Sequence, residues 1–516
     1  MNRGLIRHTL PILATLISLL AVEAGNAQSG YHFGRNKVQY SGFNWQILRT
    51  SHFDIYYYPE MEDLAEMGAQ FAEEIYEELE NRFQFSLTSR VPMIFYSSNL
   101  HFKETNVTPG FIPDGVGGFF EFLKGRVVVP ANGNIHHFRR VIRHEVVHVF
   151  THSKITRVMR DHRQVLDRFL PLWFTEGLAE YWSGDPDYQH EMVMRDAVAS
   201  NYLVPLRNIF RIRGSYLMYK EGEAVFRFIS EEYGEEKILR MMENFWKDRN
   251  FQTVIEVTLH DRFEDVSDKW ERWVRAHYYR MLEDTDTPEL GSQGIAARGF
   301  NVKPVFYEFP NGERHIYYVG NKTGYSNVYG VRVDSLYRPI GREEVVISGE
   351  RNATFEAFHL LESRLDISAS GLLAFSTKSG GQDVIHIYDV EKKKLVTTLR
   401  FSDQVAIYSP AWGPNSDKLV FSSIDNSGFS DLYLYDLPSD ELRRLTNDMY
   451  DDRDPDLSPD GRFVVFSSDR TSYGLHGARN LFVYDLDDDH VRYVTYGDQN
   501  DFSPRWSPDG THVIYT

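Results

Sequence analysis

The chain contains no cysteine among its 516 residues. That excludes a disulfide scaffold, a thiol nucleophile, a lipidated N-terminal cysteine and any zinc site built on thiolates. Positive charge is scarce: 56 Lys and Arg stand against 74 Asp and Glu, a net charge of −18 with a pI near 5.5. Little is available to neutralise a run of phosphates, so nucleic acid is set aside as a partner. Long apolar runs are missing as well, because no segment after residue 27 approaches the ~20 residues that cross a bilayer. A phosphate-cradling glycine loop, a G-x-S-x-G elbow and a Ca²⁺ loop of the required spacing are all absent. What remains is 42% apolar and 25% charged, proportions of a folded soluble chain rather than a disordered one.

Residues 1–27 read as a signal peptide. Arg3 and Arg7 form a basic start, an apolar run follows from Thr9 to Val22, and Ala24-Gly25-Asn26-Ala27 places small residues before a cut ahead of Gln28. Export without a cysteine suits the periplasm, cell envelope or outer surface of a bacterium. The hydrophobic period then changes twice. Strand, helix and strand patterns occupy about 50–100, and a helical period dominates from about 134 to 285. The stretch EDTDTPELGSQGIAARG collects turn residues without an apolar period. The expected organisation is one domain over 28–285, a linker over 286–300 and a second domain over 301–516.

That second domain is all-β and repetitive. Aligned on Ile367, Trp412, Leu457 and Trp506, the repeats fall 45, 45 and 49 residues apart, a period that with four strand-like runs per unit predicts a β-propeller. The stretch 304–333 reads as an earlier, divergent blade. The S-P-D-G turns and Y-D-L strand ends resemble TolB-like propeller repeats. The repeats amount to about four blades and a truncated fifth, since WSPDGTHVIYT stops within a strand pattern. The chain is therefore expected to be a fragment of a longer protein, its continuation carrying more blades or an outer-membrane anchor.

The chemistry concentrates in VIRHEVVHVF, residues 141–150. His144 and His148 are four apart, so on a helix both imidazoles leave one face and can chelate one Zn²⁺, with Glu145 beside them to take a proton from water. In a chain with 19 histidines such a spacing also arises by chance, so a third ligand decides the matter. The segment LWFTEGLAEYWSG (172–184) offers Glu176, with Glu180 one turn further on the same face to hold a ligand histidine's free ring N–H. Trp173, Phe174, Leu178, Tyr181 and Trp182 surround the two carboxylates, which favours a metal or paired charge over a solvated face.

The pair RHEVVH and WFTEGLAEY is similar to the gluzincin metallopeptidases, in particular the peptidase-MA-like domains of exported bacterial proteins. The likeness extends over about 50–285, although the spacing from His148 to Glu176 exceeds that of thermolysin-like enzymes. Taken with the repeats after residue 300, it implies a fold class of an α+β zincin-like metallopeptidase domain plus an all-β propeller, incomplete in this chain. It also implies one Zn²⁺ held by His144, His148 and Glu176, Glu145 as general base and Glu180 behind the ligands. An oxyanion donor is sought in Tyr219, with Tyr216 and His190 as further candidates. In that family the strand matching Gly125–Pro130 is the edge strand that pairs with an extended substrate.

Weaker signals have plainer readings. His136 and His137 are expected to cover a surface. The acidic runs 451–454 and 487–489 are expected to shape and solvate turns, and Asn106, Asn321 and Asn352 open Asn-x-Thr triplets. The leading expectation is an exported zinc peptidase acting on peptides or proteins, its propeller recruiting or screening substrate or docking a protein partner. The alternative is a non-catalytic envelope scaffold in which the propeller mediates protein interactions.

Overall fold

A computed structural model describes residues 41–108, 112, 115–184, 187–282, 292–296 and 298–516. The signal peptide expected at 1–27, and residues 286–291 and 297 of the expected linker, lie outside the described residues. The N-terminal half is built on a five-stranded sheet of β1 (Gln46–Arg49), β2 (Phe53–Tyr57), β3 (Val91–Tyr96), β4 (Phe119–Glu121) and β5 (Arg126–Pro130), in the order β1-β2-β3-β5-β4. Strands β2, β3 and β5 run parallel, while β1 and β4 are antiparallel to their neighbours. Val127, Val128 and Val129 are all buried, as a strand covered on both faces requires.

Helices follow the apolar period of the sequence. Helix α1 (Glu62–Phe83) buries Leu64, Ala65, Ala69, Ala72, Ile75, Tyr76, Leu79 and Phe83, one stripe at three- and four-residue spacing. Its acidic opposite face stays in water. Helix α2 (Ile135–Asp161) leaves β5 after a short loop. It is followed by α3 (Leu172–Trp182), α4 (Tyr188–Ala199), α5 (Tyr216–Tyr233), α6 (Glu236–Glu243), α7 (Phe251–Leu259) and α8 (Phe263–Leu282).

One expectation about the sheet is corrected. The strand Arg126–Pro130 is not an edge strand, because it lies between β3 and β4. The chain makes a hairpin through Gly125, whose φ of +68° suits glycine, and Phe119, Phe120 and Glu121 pair with Val128, Val127 and Arg126. The Glu121 carboxylate closes that turn by accepting the Leu123 N–H at 2.8 Å. Among the described residues the outer backbone edge beyond β5 therefore belongs to Phe119–Glu121.

The C-terminal half is all-β. Its first sheet holds strands Asn301–Glu308, Arg314–Gly320, Asn327–Val333 and Pro339–Ser348. In the second, Ala357–Phe358 and Asp366–Ile367 both pair with Leu372–Ser379, which continues into Gln382–Asp389 and Lys394–Leu399. The third runs Gln404–Trp412, Lys418–Asp425, Ser430–Asp436 and Glu441–Arg444, and the fourth Arg453–Leu457, Phe463–Ser468, Asn480–Asp485 and His490–Tyr493. Arg505–Trp506 and Val513–Ile514 form a further pair. Sheets are stapled by a recurring bond at equivalent repeat positions. Asp366 accepts the Trp412 N–H at 2.6 Å, and Asp456 accepts that of Trp506 at 2.8 Å. Burial settles the acidic runs differently from one another. Asp451 and Asp452 do not solvate a turn: both are fully buried, paired with Arg453 and Arg479 and with Arg470 respectively. Asp488 and Asp489 do sit at a hairpin tip between the last two strands of the fourth sheet.

The two halves meet at the loop between β5 and α2. Gly133 bridges to Phe429 with φ of +91°, and a Cβ there would collide with the Cβ of Ser430. The Asn134 side-chain amide donates to Asp469 at 2.9 Å, and the Arg453 guanidinium donates to the Asn132 carbonyl.

Helices α3 and α5 cross at two glycines. A Cβ on Gly177 would stand 2.5 Å from the Gly222 carbonyl carbon, and one on Gly222 would stand 2.7 Å from the Trp173 oxygen. Backbone sits on backbone here, so no rotamer change makes room. Gly177→Ala or Gly222→Ala is expected to destabilise the protein by about 2–3 kcal/mol. Thermal unfolding checks this, and an unchanged melting temperature would refute the crossing.

Candidate metal centre

Helix α2 starts at Asn134, whose side-chain oxygen accepts the His137 N–H at 2.7 Å and satisfies one of the free donors of the first turn. Ile142, Val146, Val147, Val149 and Phe150 bury one side of the helix. The other side, from His137 and Arg140 through His144 and His148 to His152, lines a cavity of 2370 Å³. His136 and His137 thus wall this cleft rather than a plain outer surface.

Three side chains converge there. His148 Nε2 lies 3.2 Å from His144 Nε2, and Glu176 Oε2 lies 3.4 Å from His144 Nε2 and 3.2 Å from His148 Nε2. A tetrahedral ion with bonds of about 2.0–2.1 Å holds its ligands about 3.3 Å apart, so the spacing fits zinc. Among the described residues this is the one cluster of three or more His, Asp or Glu side chains that brings its ligand atoms together in this way. The donor set of two imidazoles and one carboxylate also suits that ion.

Glu145 is 4% exposed, and its Oε2 has no hydrogen-bond partner in the protein. Burial, aided by Glu176 and Glu180, raises its pKa, with the two histidines opposing. A buried carboxylate atom left unpaired faces something other than protein. The approach to it is kept open by Gly118, where a Cβ would stand 2.9 Å from Val141 Cγ1 and 3.1 Å from Glu145 Oε1.

Burial alone would push Glu176 up, but the facing imidazoles of His148 and His144 hold it well below the usual carboxylate range. The same pairing lifts His148 to about 9 against the opposing effect of burial. Glu180 Oε1 stands 3.5 Å from His144 Nδ1, the ring nitrogen turned away from the cluster. Its other oxygen accepts from Lys220 Nζ at 2.8 Å and lies 3.5 Å from Arg140. Burial opposes the charge on Glu180, and Lys220, followed by His144 and Arg140, holds its pKa down.

The candidate donors separate cleanly. Tyr219 lines the cleft at the centre, and its pKa is raised by burial and by the carboxylates of Glu176, Glu145 and Glu180. Tyr216 lines the cleft but spends its hydroxyl on Gln189 Oε1 at 2.6 Å. His190 does not line the cleft: it is buried, with Nδ1 2.7 Å from Glu223 Oε2. Sequence reasoning missed Lys220, which is 2% exposed and bonded to Glu180. The signal was present in YKEGEAVFRF, where three charged residues lie within four positions of a helix that carries apolar side chains all round.

Residues 86–276 match the family model described as the Peptidase MA superfamily, and residues 368–516 match that of the TolB beta propeller domain. Among solved structures, TolB from Acinetobacter baumannii is similar at 18% identity, covering 39% of this chain and 46% of that one, with a TM-score of 0.29. A putative TolB from Agrobacterium tumefaciens is 22% identical over 42% of this chain and 69% of that one, TM-score 0.32. This chain therefore spans under half the length of the first of these relatives.

Two outcomes follow for the metal-free protein. His148, raised from 6.5 to about 9, adds stability that is complete below about 6.5 and lost as pH rises through 9. Glu176, held below its ordinary 4.5, adds stability that is present above 4.5 and lost on acidification. Melting curves of chelator-treated protein should therefore peak between these limits. Zinc requires a neutral imidazole, so its uptake at pH 7 should release a proton, measurable by calorimetry in buffers of different ionisation enthalpy. Glu180→Ala is expected to weaken zinc binding by about 10–100-fold in a chelator competition; an unchanged affinity would remove Glu180 from the site.

Proposed function

We propose that this chain is an exported zinc-dependent peptidase that cleaves peptide bonds in peptides or proteins, with a peptidase unit over 28–285, a connection over 286–300 and a propeller over 301–516. His144, His148 and Glu176 hold one zinc ion per chain. The observation that carries the reading is the buried Glu145 oxygen without a partner, set beside a donor triangle of zinc dimensions. Zinc in such a site polarises a carbonyl and makes water a nucleophile near neutral pH.

The chain's own residues supply the rest. Glu145, whose burial favours the protonated form, takes a proton at Oε2 as water attacks and delivers it to the leaving amine. Tyr219 keeps its hydroxyl proton over the working pH range and donates toward the charge that develops on the carbonyl oxygen. Glu180, fixed by Lys220, orients His144. Phe119–Glu121 offers its outer backbone groups to an extended peptide, which would add as a further strand. Propeller residues Glu362, His476 and Arg479 line the same cleft, so the propeller screens or recruits what enters it, or docks a protein partner. Among the described residues no helix is long and apolar enough to cross a membrane. The basic, apolar and small-residue order of 1–27 supports export to a bacterial periplasm or cell surface.

Glu145→Gln should keep about one zinc per chain, read by elemental analysis, while peptide cleavage falls by about 100–10,000-fold. Wild-type protein that binds zinc stoichiometrically yet cleaves nothing in a broad peptide library would favour the scaffold reading instead. Tyr219→Phe should lower kcat by about 10–1000-fold and leave KM within a few-fold. A raised KM with kcat unchanged would instead make Tyr219 a substrate-binding group.

A further inference from the structure

The stripe of α2 that carries His144 and His148 continues one turn to His152, and there the cleft changes character. The His152 ring lies 5.9 Å from that of Phe120 and 6.2 Å from that of Phe122, and Phe122 meets Phe169 at 5.6 Å. These rings come from three separate pieces of chain: β4 with its hairpin, α2, and the segment that joins α2 to α3. Their mutual contact does not bury them. Phe122 is 45% exposed and Phe169 67%, and both line the cleft. Burial lowers the pKa of His152, so near neutrality it adds another uncharged face.

The opposite end of the cleft is polar. Arg140 and His137 lie one and two turns before His144, and His476 and Arg479 of the propeller line the wall near them. The centre thus sits between a charged end and an aromatic one. Along α2 the step from His148 to His152 is about 6 Å, which is one to two residues of an extended peptide at about 3.3 Å each. An acidic chain that leaves several large apolar side chains in water beside its catalytic groove has an apolar ligand to meet there. That ligand is substrate, because the shelf is continuous with both the zinc cluster and the free edge of β4.

We propose that Phe120, Phe122, His152 and Phe169 form the specificity site of this enzyme, taking one large apolar side chain, aromatic or aliphatic, within two residues of the cleaved bond and on one side of it only. The inference rests on the peptidase reading above. Among the described residues the ring contacts of Phe122 and Phe169 are with each other and His152, not with His144 or His148, so in this proposal both act on substrate choice.

The test is a mixed-sequence peptide library digested by the zinc-loaded full chain, with cut sites mapped by mass spectrometry. Phe, Tyr, Trp, Leu and Met should be enriched at one position on one side of the cut. In the Phe122→Ser/Phe169→Ser variant that enrichment should vanish. Its kcat/KM for a peptide with Phe there should fall at least about tenfold, against less than about threefold for the same peptide with Ala. Both side chains are exposed, so zinc content and melting temperature should match the wild type; the single Phe169→Ser variant provides a second reading if they do not. Cleavage without enrichment, or enrichment that survives the substitutions, overturns the specificity site and leaves the peptidase reading standing. Equal loss on the Phe and Ala peptides assigns the rings to cleft structure and likewise overturns it. No cleavage at all by the wild type overturns both.

Discussion

Everything at the candidate centre depends on how closely α3 can approach α5. Gly177 and Gly222 let the two backbones touch, and each glycine sits beside chemistry on its own helix. Glu176 precedes Gly177, and Glu180 follows it by one turn. Tyr219 and Lys220 precede Gly222. With the helices in contact, Tyr219 comes within electrostatic reach of Glu176 and Lys220 bonds to Glu180, while both carboxylates still reach the histidines of α2. A side chain at either glycine would separate these pairs together, because they share one rigid crossing.

The crossing also resolves an electrostatic difficulty. Carboxylates stripped of water need partners. Glu176 is answered by two imidazoles, Glu180 by His144, Lys220 and Arg140, and the fully buried Glu223 by His190 and Arg227. Lys220 lies 3.9 Å from Glu223 as well, so charge alternates from the metal cluster outward through the helices. Glu145 stands apart from this pattern. Its buried Oε2 has no hydrogen-bond partner in the protein, which is what the proposed role of accepting and releasing a proton calls for.

Much of this was legible in the sequence, because periodic signals are local. The four-residue spacing of His144 and His148, the helical face joining Glu176 to Glu180 and the 45-residue β repeat each encode a geometry within a few turns of chain. What was misread depends on pairing between distant segments. Whether Arg126–Pro130 lies at an edge is decided by a hairpin that places Phe119–Glu121 outside it, and nothing in a valine-rich strand records which neighbour it acquires. The run Asp451–Asp454 carries the composition of a solvated turn. Its first two members are buried because Arg453, Arg470 and Arg479 arrive to pair with them. His190 and Tyr219 are equally plausible donors by residue type, and only the rotation of α4 and α5 separates them.

The bond between Asn134 and Asp469 joins positions 335 residues apart. Asn134 caps the first turn of the helix that bears His144 and His148, yet its side-chain amide donates to a carboxylate far later in the sequence. Helix α2 has its own apolar face to bury, but the bond that ties the residue capping its first turn to the fourth sheet needs both segments in place. The N-terminal half alone would lack this tie, so the placement of the loop before α2 depends on both halves of the chain.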